Sequence, residues 1–258
     1  MTICWPELIL HKCDSENVPL VRKIFSWVTL TPKPLTLKDL AIALAINPNS
    51  TSLRLLDPPR NIATDLLSIC GGFLEIVSSH GEENDKNESK TVRLIHQSAK
   101  EYFLNSHCGL NGSLGVFRIR PVIDHIEIAQ SCLTYLLFED FKMGPIKENS
   151  LDAGGSEDAS VKLIRVLEQK IANTPFLKYA VLNWPFHVRQ ATPVTEGDNV
   201  VALTCKFCPT PQIISIAGIS SRTFCLSPRQ IIQSLSQPFT WRRGSDFLRF
   251  WNISSVLE

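Results

Sequence analysis

Apolar residues recur with a helical period near the start of the chain. Apolar side chains recur at helical spacing over residues 21–28, and the prolines of the next segment, TPKPLT, predict the end of that helix. Thr36 and Asp39 then form a capping-box-like start to an apolar stripe over residues 37–46. The pattern therefore predicts two consecutive short helices.

A third helix is predicted after the polar segment that follows. Asp57 is the expected N-cap, with Pro58 at the first helical position, and Gly71-Gly72 mark the expected end. Three short helices in succession are therefore expected before the sequence pattern becomes typical of β-strands.

Strand-like segments come next. Residues 73–77 and 91–95 are β-branched and apolar, and they flank a polar loop that predicts a hairpin with a long tip. A helix is expected directly after His96, with Tyr102 and Phe103 packing back on the strands. Three helices, a hairpin and a helix are the order of a winged-helix domain with one extra helix. The expected fold class is mainly α with a small β-hairpin.

The second half of the chain is predicted to be helical and then irregular. Pro121 begins a long apolar helix, residues 161–173 are amphipathic, and residues 175–184 form a short aromatic helix that Pro185 closes. From about residue 191 no period is sustained. The expected division is a linker helix from an upstream domain over 1–17, a winged-helix domain over 18–106, a helical segment over 107–190, and an unassigned or disordered tail over 191–258.

Composition narrows the classes of protein. The 258 residues include 44% hydrophobic residues and carry a formal net charge of +1, which is typical of a folded chain and excludes a strongly basic binder. No apolar run approaches the roughly 20 residues that a membrane-spanning helix needs. Glu7 and Lys12 interrupt the stretch where a secretion signal would be apolar. A cytoplasmic protein with eight mostly reduced cysteines and no membrane partner is expected.

Nucleic-acid binding is disfavoured although winged helices are often DNA-binding domains. The expected recognition helix, residues 57–70, carries Asp57, Arg60 and Asp65, which leaves it with one net negative charge. With one basic side chain against two acidic ones, it cannot neutralise several phosphates. The acidic tip of the hairpin adds repulsion. No nucleic-acid partner is therefore expected.

Metal and catalytic chemistry have little support in the sequence. Cys205, Cys208 and Cys225 suggest part of a zinc site, but a fourth ligand is missing and no histidine follows His187. A redox role for the C-x-x-C pair lacks the strand-to-helix setting that such motifs have. There is no G-x-S-x-G nucleophile motif. The expectation is no metal, no cofactor, no catalytic residue and no enzyme activity.

Several segments resemble one protein family. They run from about residue 7 to 190, and the most specific are Trp27 to Leu44, Cys70-Gly71-Gly72 and Leu94 to Leu104. In this order they are similar to the winged-helix region of fungal NACHT-type STAND proteins, which is also catalogued as the winged-helix domain of GPI inositol-deacylases. That name does not imply deacylase activity.

The resemblance implies a regulatory role in a signal-transduction switch. In such proteins a NACHT NTPase domain precedes the winged helix, which holds the nucleoside-diphosphate state, and ankyrin, tetratricopeptide or WD40 repeats follow. The sequence contains no G-x-x-x-x-G-K-[ST] motif, so a truncated member or fragment is expected. By resemblance His96 would contact the nucleotide phosphate. The alternative is that it helps to cap the helix over Gln97–Tyr102 or packs on the hairpin.

The partners that follow are a NACHT nucleotide-binding domain, in cis or in trans, and other proteins through the helical segment. Two alternatives stay open. The chain is either a stand-alone protein-binding module or part of an NTPase whose P-loop lies upstream.

Overall fold

The computed structural model describes residues 15–59, 62–78, 90–104, 117–141, 174–191 and 199–207. The regular elements of these residues are, in chain order, α1 (Val18–Leu30), β1 (Leu35–Thr36), α2 (Leu37–Ala45), α3 (Ile62–Ile69), β2 (Leu74–Ser78), β3 (Lys90–Leu94), α4 (Gln97–Leu104), α5 (Pro121–Leu136), α6 (Leu177–Gln190) and α7 (Asn199–Phe207). Single 3₁₀ turns cover Ser15–Asn17, Leu53–Leu55, Gly71–Phe73 and Glu139–Phe141. The expected fold class, mainly α with a small β component and a winged-helix domain, is confirmed.

The winged-helix core follows the predicted order, with one additional strand. The antiparallel sheet has the order β1-β3-β2. Leu35 of β1 lies opposite Val92 of β3. A two-residue strand leaves no alternating pattern in the sequence, so the predicted two-stranded hairpin is in fact a three-stranded sheet. The loop predicted between β2 and β3 covers residues 79–89, which lie outside the described residues.

Local signals located α1 and α2 well. Pro19 lies in the first turn of α1, and Thr31 ends the helix. The Thr36 side chain accepts a hydrogen bond from the Asp39 backbone N–H at 3.1 Å, as a capping residue does. The predicted cap is therefore confirmed.

The predicted start of α3 is wrong. Residues 56–59 are not helical, and the helix extends over Ile62–Ile69 instead of beginning at Asp57. Pro59 follows Pro58, and a residue before proline is disfavoured in the helical region, so Pro58 does not begin a helix. Cys70 and the turn at Gly71–Phe73 end the helix as predicted.

Pro185 does not close the aromatic helix. α6 continues through Pro185 to Gln190. Because proline has no N–H, Pro185 removes the backbone hydrogen bond to the carbonyl of Val181, four residues before it. Pro185 is buried in the helix interior, and this packing outweighs the lost backbone hydrogen bond.

The chain divides into two compact units. The first contains Met1–Ile46 and Asp57–Ile128, and the second contains Asn47–Leu56 and Ala129–Glu258. The core of the first is aromatic: Phe25 stacks on Phe103 with ring centroids 4.4 Å apart. It also meets Phe73 and Phe117 edge-on at 5.9 and 6.4 Å.

The second unit also has an aromatic core. Tyr135 lies 5.1 to 5.2 Å, between ring centroids, from Phe138, Phe141 and Phe176, and its hydroxyl donates to the Pro175 carbonyl at 2.5 Å. Phe176 has a positive φ of 67°, an uncommon conformation for a bulky residue.

A packed helix lies within the tail that the sequence left unassigned. α7 buries Val200, Val201, Thr204 and Phe207. The ring of Phe207 meets Trp184 of α6 edge-on at 5.8 Å between centroids. Residues 192–198 and 208–258, the predicted helix over 161–173, and most of the predicted linker helix over 1–17 lie outside the described residues.

Candidate functional site at the β3–α4 corner

The corner between β3 and α4 carries His96, the residue that the sequence analysis named as a possible contact of the nucleotide phosphate. β3 ends at Leu94, and the Ile95 backbone N–H donates to the Phe73 carbonyl at 3.0 Å. This bond ties the corner to the turn before β2. His96 follows with an exposed side chain, and α4 begins at Gln97.

The His96 side chain caps α4. Its Nδ1 accepts the Ser98 backbone N–H at 3.1 Å and lies 2.8 Å from Ser98 Oγ. The His96 carbonyl accepts the Ala99 N–H at 3.0 Å. The capping role that the sequence offered as the alternative is therefore present, while the role in nucleotide binding stays a prediction.

Capping determines what the ring can do toward a ligand. Because Nδ1 of the neutral ring accepts the Ser98 N–H, the proton lies on Nε2. An exposed His96 thus has a hydrogen-bond donor at Nε2 while its other nitrogen is held by the helix. The capping and ligand-binding roles use different nitrogens and are compatible.

A buried carboxylate organises another part of the first unit. Asp124, in the first turn of α5, has no exposed side-chain surface. Arg22 Nη2 donates to its Oδ1 at 2.5 Å, and Ser26 Oγ and the Arg120 backbone N–H donate to Oδ2 at 3.1 and 3.0 Å. The network joins α1 to the N-terminus of α5 within the first unit.

Sequence reasoning missed this network. Arg22 and Asp124 are 102 positions apart, and no spacing rule links them. The available signal was local: an acidic residue follows Pro121 in the first turn, where a carboxylate favours the helix dipole. That signal places Asp124 at a helix start but not against α1.

Lys23 is the neighbour of Arg22 and holds the end of α2. Its Nζ donates to the carbonyls of Leu44 and Ile46 at 2.8 and 3.0 Å. A cation at this end favours the helix dipole and satisfies carbonyls that the helix leaves open. Burial lowers the pKa of Lys23 to about 8, although the negative charge of Glu127 opposes the shift.

His125 lies beside Asp124 and is only 6% exposed. Burial lowers its pKa to about 4, because an imidazolium loses solvation there, while the Asp124 charge acts in the opposite direction. The folded protein therefore holds His125 neutral at pH 7.

This histidine predicts acid sensitivity. Between its ordinary pKa of 6.5 and about 4, the unfolded chain binds a proton at His125 that the folded chain does not, so stability falls as the pH falls. We expect His125 to account for a loss of about 2–3 kcal/mol in the free energy of unfolding across this range. Urea denaturation at pH 7 and pH 4 measures the loss. H125Q is expected to remove it, whereas the exposed control H96Q is expected to keep it. The prediction would be contradicted if the free energy of unfolding of H125Q fell between pH 7 and pH 4 by as much as that of the wild type.

The second unit has a buried polar pair of its own. His187 has no exposed surface, and its Nε2 lies 2.8 Å from the Tyr179 hydroxyl. Cys205, from the proposed zinc set, lies on α7 and is partly buried, while Cys208 and Cys225 are outside the described residues. Among the residues that the structure describes, no group of three or more histidine, cysteine or acidic side chains is arranged to hold a metal.

Within the same described residues, no helix is long and apolar enough to cross a membrane. That the chain has no nucleic-acid partner stays a prediction from the sequence, because Arg60 and the tip of the hairpin lie outside the described residues.

Comparison with known proteins supports the fold of the first unit. Residues 10–116 match a family model described as the winged-helix domain of GPI inositol-deacylase. A Monascus ruber protein named azaphilone pigments biosynthesis cluster protein L is 29% identical over 131 residues, 51% of this chain and 27% of that protein. The chain thus spans about a quarter of the length of this curated relative. No solved structure matches the chain significantly. The chain therefore contains, within residues 10–116, a winged-helix domain of the type that this family model describes.

Proposed function

We propose that the chain is a non-catalytic regulatory part of a NACHT-type switch, in which the winged helix holds the nucleotide-binding domain in its nucleoside-diphosphate state. The observation that carries the proposal is the match of residues 10–116 to a winged-helix family, together with an exposed His96 at the β3–α4 corner. NACHT association comes from the resemblance of residues 7–190 to fungal STAND proteins.

The chemistry of His96 supports this role. An Nε2 donor suits a phosphate oxygen, because a hydrogen bond to an anionic oxygen is stronger than one to a neutral acceptor. The capping bond to Ser98 holds the ring in one orientation before the ligand arrives. A preorganised donor avoids the entropy loss of ordering a free side chain on binding.

The proposal predicts slower nucleotide release. We expect the purified chain to slow the dissociation of a fluorescent ADP analogue from a fungal NACHT domain by about tenfold or more, as one charge-assisted hydrogen bond and the added contacts would. H96A is expected to lose most of this effect. K178A, which changes an exposed side chain of the second unit, is the matched control and is expected to behave as wild type.

Two results would count against the role. One is a chain that binds the NACHT domain without slowing ADP release. The other is an equal loss in H96A and K178A. The chain alone is expected not to bind the ADP analogue, and micromolar binding would support the alternative of an NTPase part.

A protein-binding module is the second candidate. Three apolar side chains of the first unit are 43–46% exposed, namely Ile95, Val122 and Ile123. Ile95 precedes His96 directly, so an apolar contact and the His96 donor are adjacent in the chain. Binding of a partner protein that survives H96A and is lost in I95D would favour this candidate over nucleotide retention.

A further inference from the structure

The connection between α2 and α3 is the unusual segment of the winged helix. In helix-turn-helix units the two helices are joined by about three to four residues. Here α2 ends at Ala45 and α3 begins at Ile62. The middle of the connection, Asn47–Leu56, belongs to the second compact unit, while the residues on both sides belong to the first. We call Asn47–Leu56 the strap.

The strap begins at a firm anchor in the first unit. Ile46 is 3% exposed, and its backbone N–H donates to the Ile42 carbonyl at 3.2 Å. Its carbonyl accepts from the half-buried Lys23 at 3.0 Å. Release at this end would expose an apolar side chain and break a cap.

The other attachment of the strap is lighter. The Leu53 backbone N–H donates to Asp140 Oδ2 at 2.7 Å, and the Glu139 backbone N–H donates to the Thr51 carbonyl at 2.9 Å. No residue of the strap is buried, and Leu55 is 71% exposed. Opening would exchange these hydrogen bonds for bonds to water, and it would expose no side chain that is fully buried.

We propose that the strap is a detachable device: it stays anchored to the winged helix at Ile46 and opens and closes on the Glu139–Asp140 turn while both units remain folded. The difference between the two attachments supports this, because local opening follows the weakest contacts.

Trypsin cleavage after Arg54 measures opening directly. Arg54 is exposed at the centre of the strap, but a closed strap resists cleavage because a protease needs a locally extended chain. Mass spectrometry identifies the new terminus at Leu55, and the cleavage rate under limiting trypsin reports the open population.

Two pairs of variants separate the hydrogen bond from the Leu53 N–H to Asp140 from the other effects of changing these side chains. L53P removes the N–H that reaches Asp140, and the local backbone accepts proline because Ser52 is extended and Leu53 is the first residue of the 3₁₀ turn. L53A keeps that N–H. D140A removes the acceptor, whereas E139A keeps the backbone N–H that binds Thr51.

We expect L53P and D140A to raise the rate of cleavage after Arg54 about tenfold, with L53A and E139A close to wild type. The melting temperature is expected to change by less than about 2 °C in all four, since neither unit unfolds. Unchanged cleavage in L53P and D140A would overturn the proposal. So would faster cleavage in strict proportion to a lower global stability, which would mean that Arg54 is cut only after unfolding.

Discussion

Replacing Asp124 with alanine is expected to lower the free energy of unfolding by about 3–5 kcal/mol, the cost of removing one partner from a buried ion pair. The substitution leaves the Arg22 guanidinium, the Ser26 hydroxyl and the Arg120 N–H without their carboxylate acceptor. Each of these donors lost water when the chain folded. Their solvation cost is then no longer offset.

Urea denaturation followed by far-UV circular dichroism measures this effect, and an unchanged m-value would show that only stability moved. E127A is the matched control, because Glu127 lies on the same helix, faces Arg22 at 3.7 Å and is 53% exposed. An exposed pair of this kind contributes about 0–1 kcal/mol. A D124A variant as stable as E127A would show that the network does not join α1 to α5.

Replacing Phe25 with alanine is expected to cost a similar amount, about 3–5 kcal/mol, for a different reason. Phe25 has no exposed surface and contacts the rings of Phe103, Phe73 and Phe117. Its loss removes apolar burial and leaves a cavity that three rings cannot close without leaving their rotamers.

Two variants calibrate the loss. F25L keeps most of the volume, and we expect it to cost less than half as much as F25A. Y102A truncates a half-buried neighbour of Phe103 and is expected to cost about 1–2 kcal/mol. Hydrogen exchange of the α1 amides provides a local measure. Equal protection in F25A and wild type would contradict the assignment of Phe25 to the centre of this core.

Features that depend on near neighbours in the chain were predictable. The Thr36 cap of α2, the end of α1 before the prolines and the helix after His96 all follow from residues within about one helical turn, because caps and prolines act on adjacent backbone groups. The local pattern also placed His96 between a strand and a helix, whereas its role toward a nucleotide came from the resemblance to STAND proteins.

Features that depend on distant partners were not predictable. β1 is a strand only because β3 pairs with it. The helix around Pro185 continues because its side chains are buried, and Pro58 fails to start α3 because Pro59 follows it. The sequence places Asp124 in the first turn of α5, but no pattern in it predicts the ion pair with Arg22 on α1.

The sequence by itself determined the helical periods, the caps and the order of elements that defines a winged helix, since each of these is written in residues close together along the chain. Only the tertiary structure decided which charges are buried together, which ring nitrogen of His96 is available to a ligand, and that Asn47–Leu56 belongs to the second unit. Burial and pairing are properties of residues brought together from far apart, and the energies they carry arise only when folding removes water from both partners.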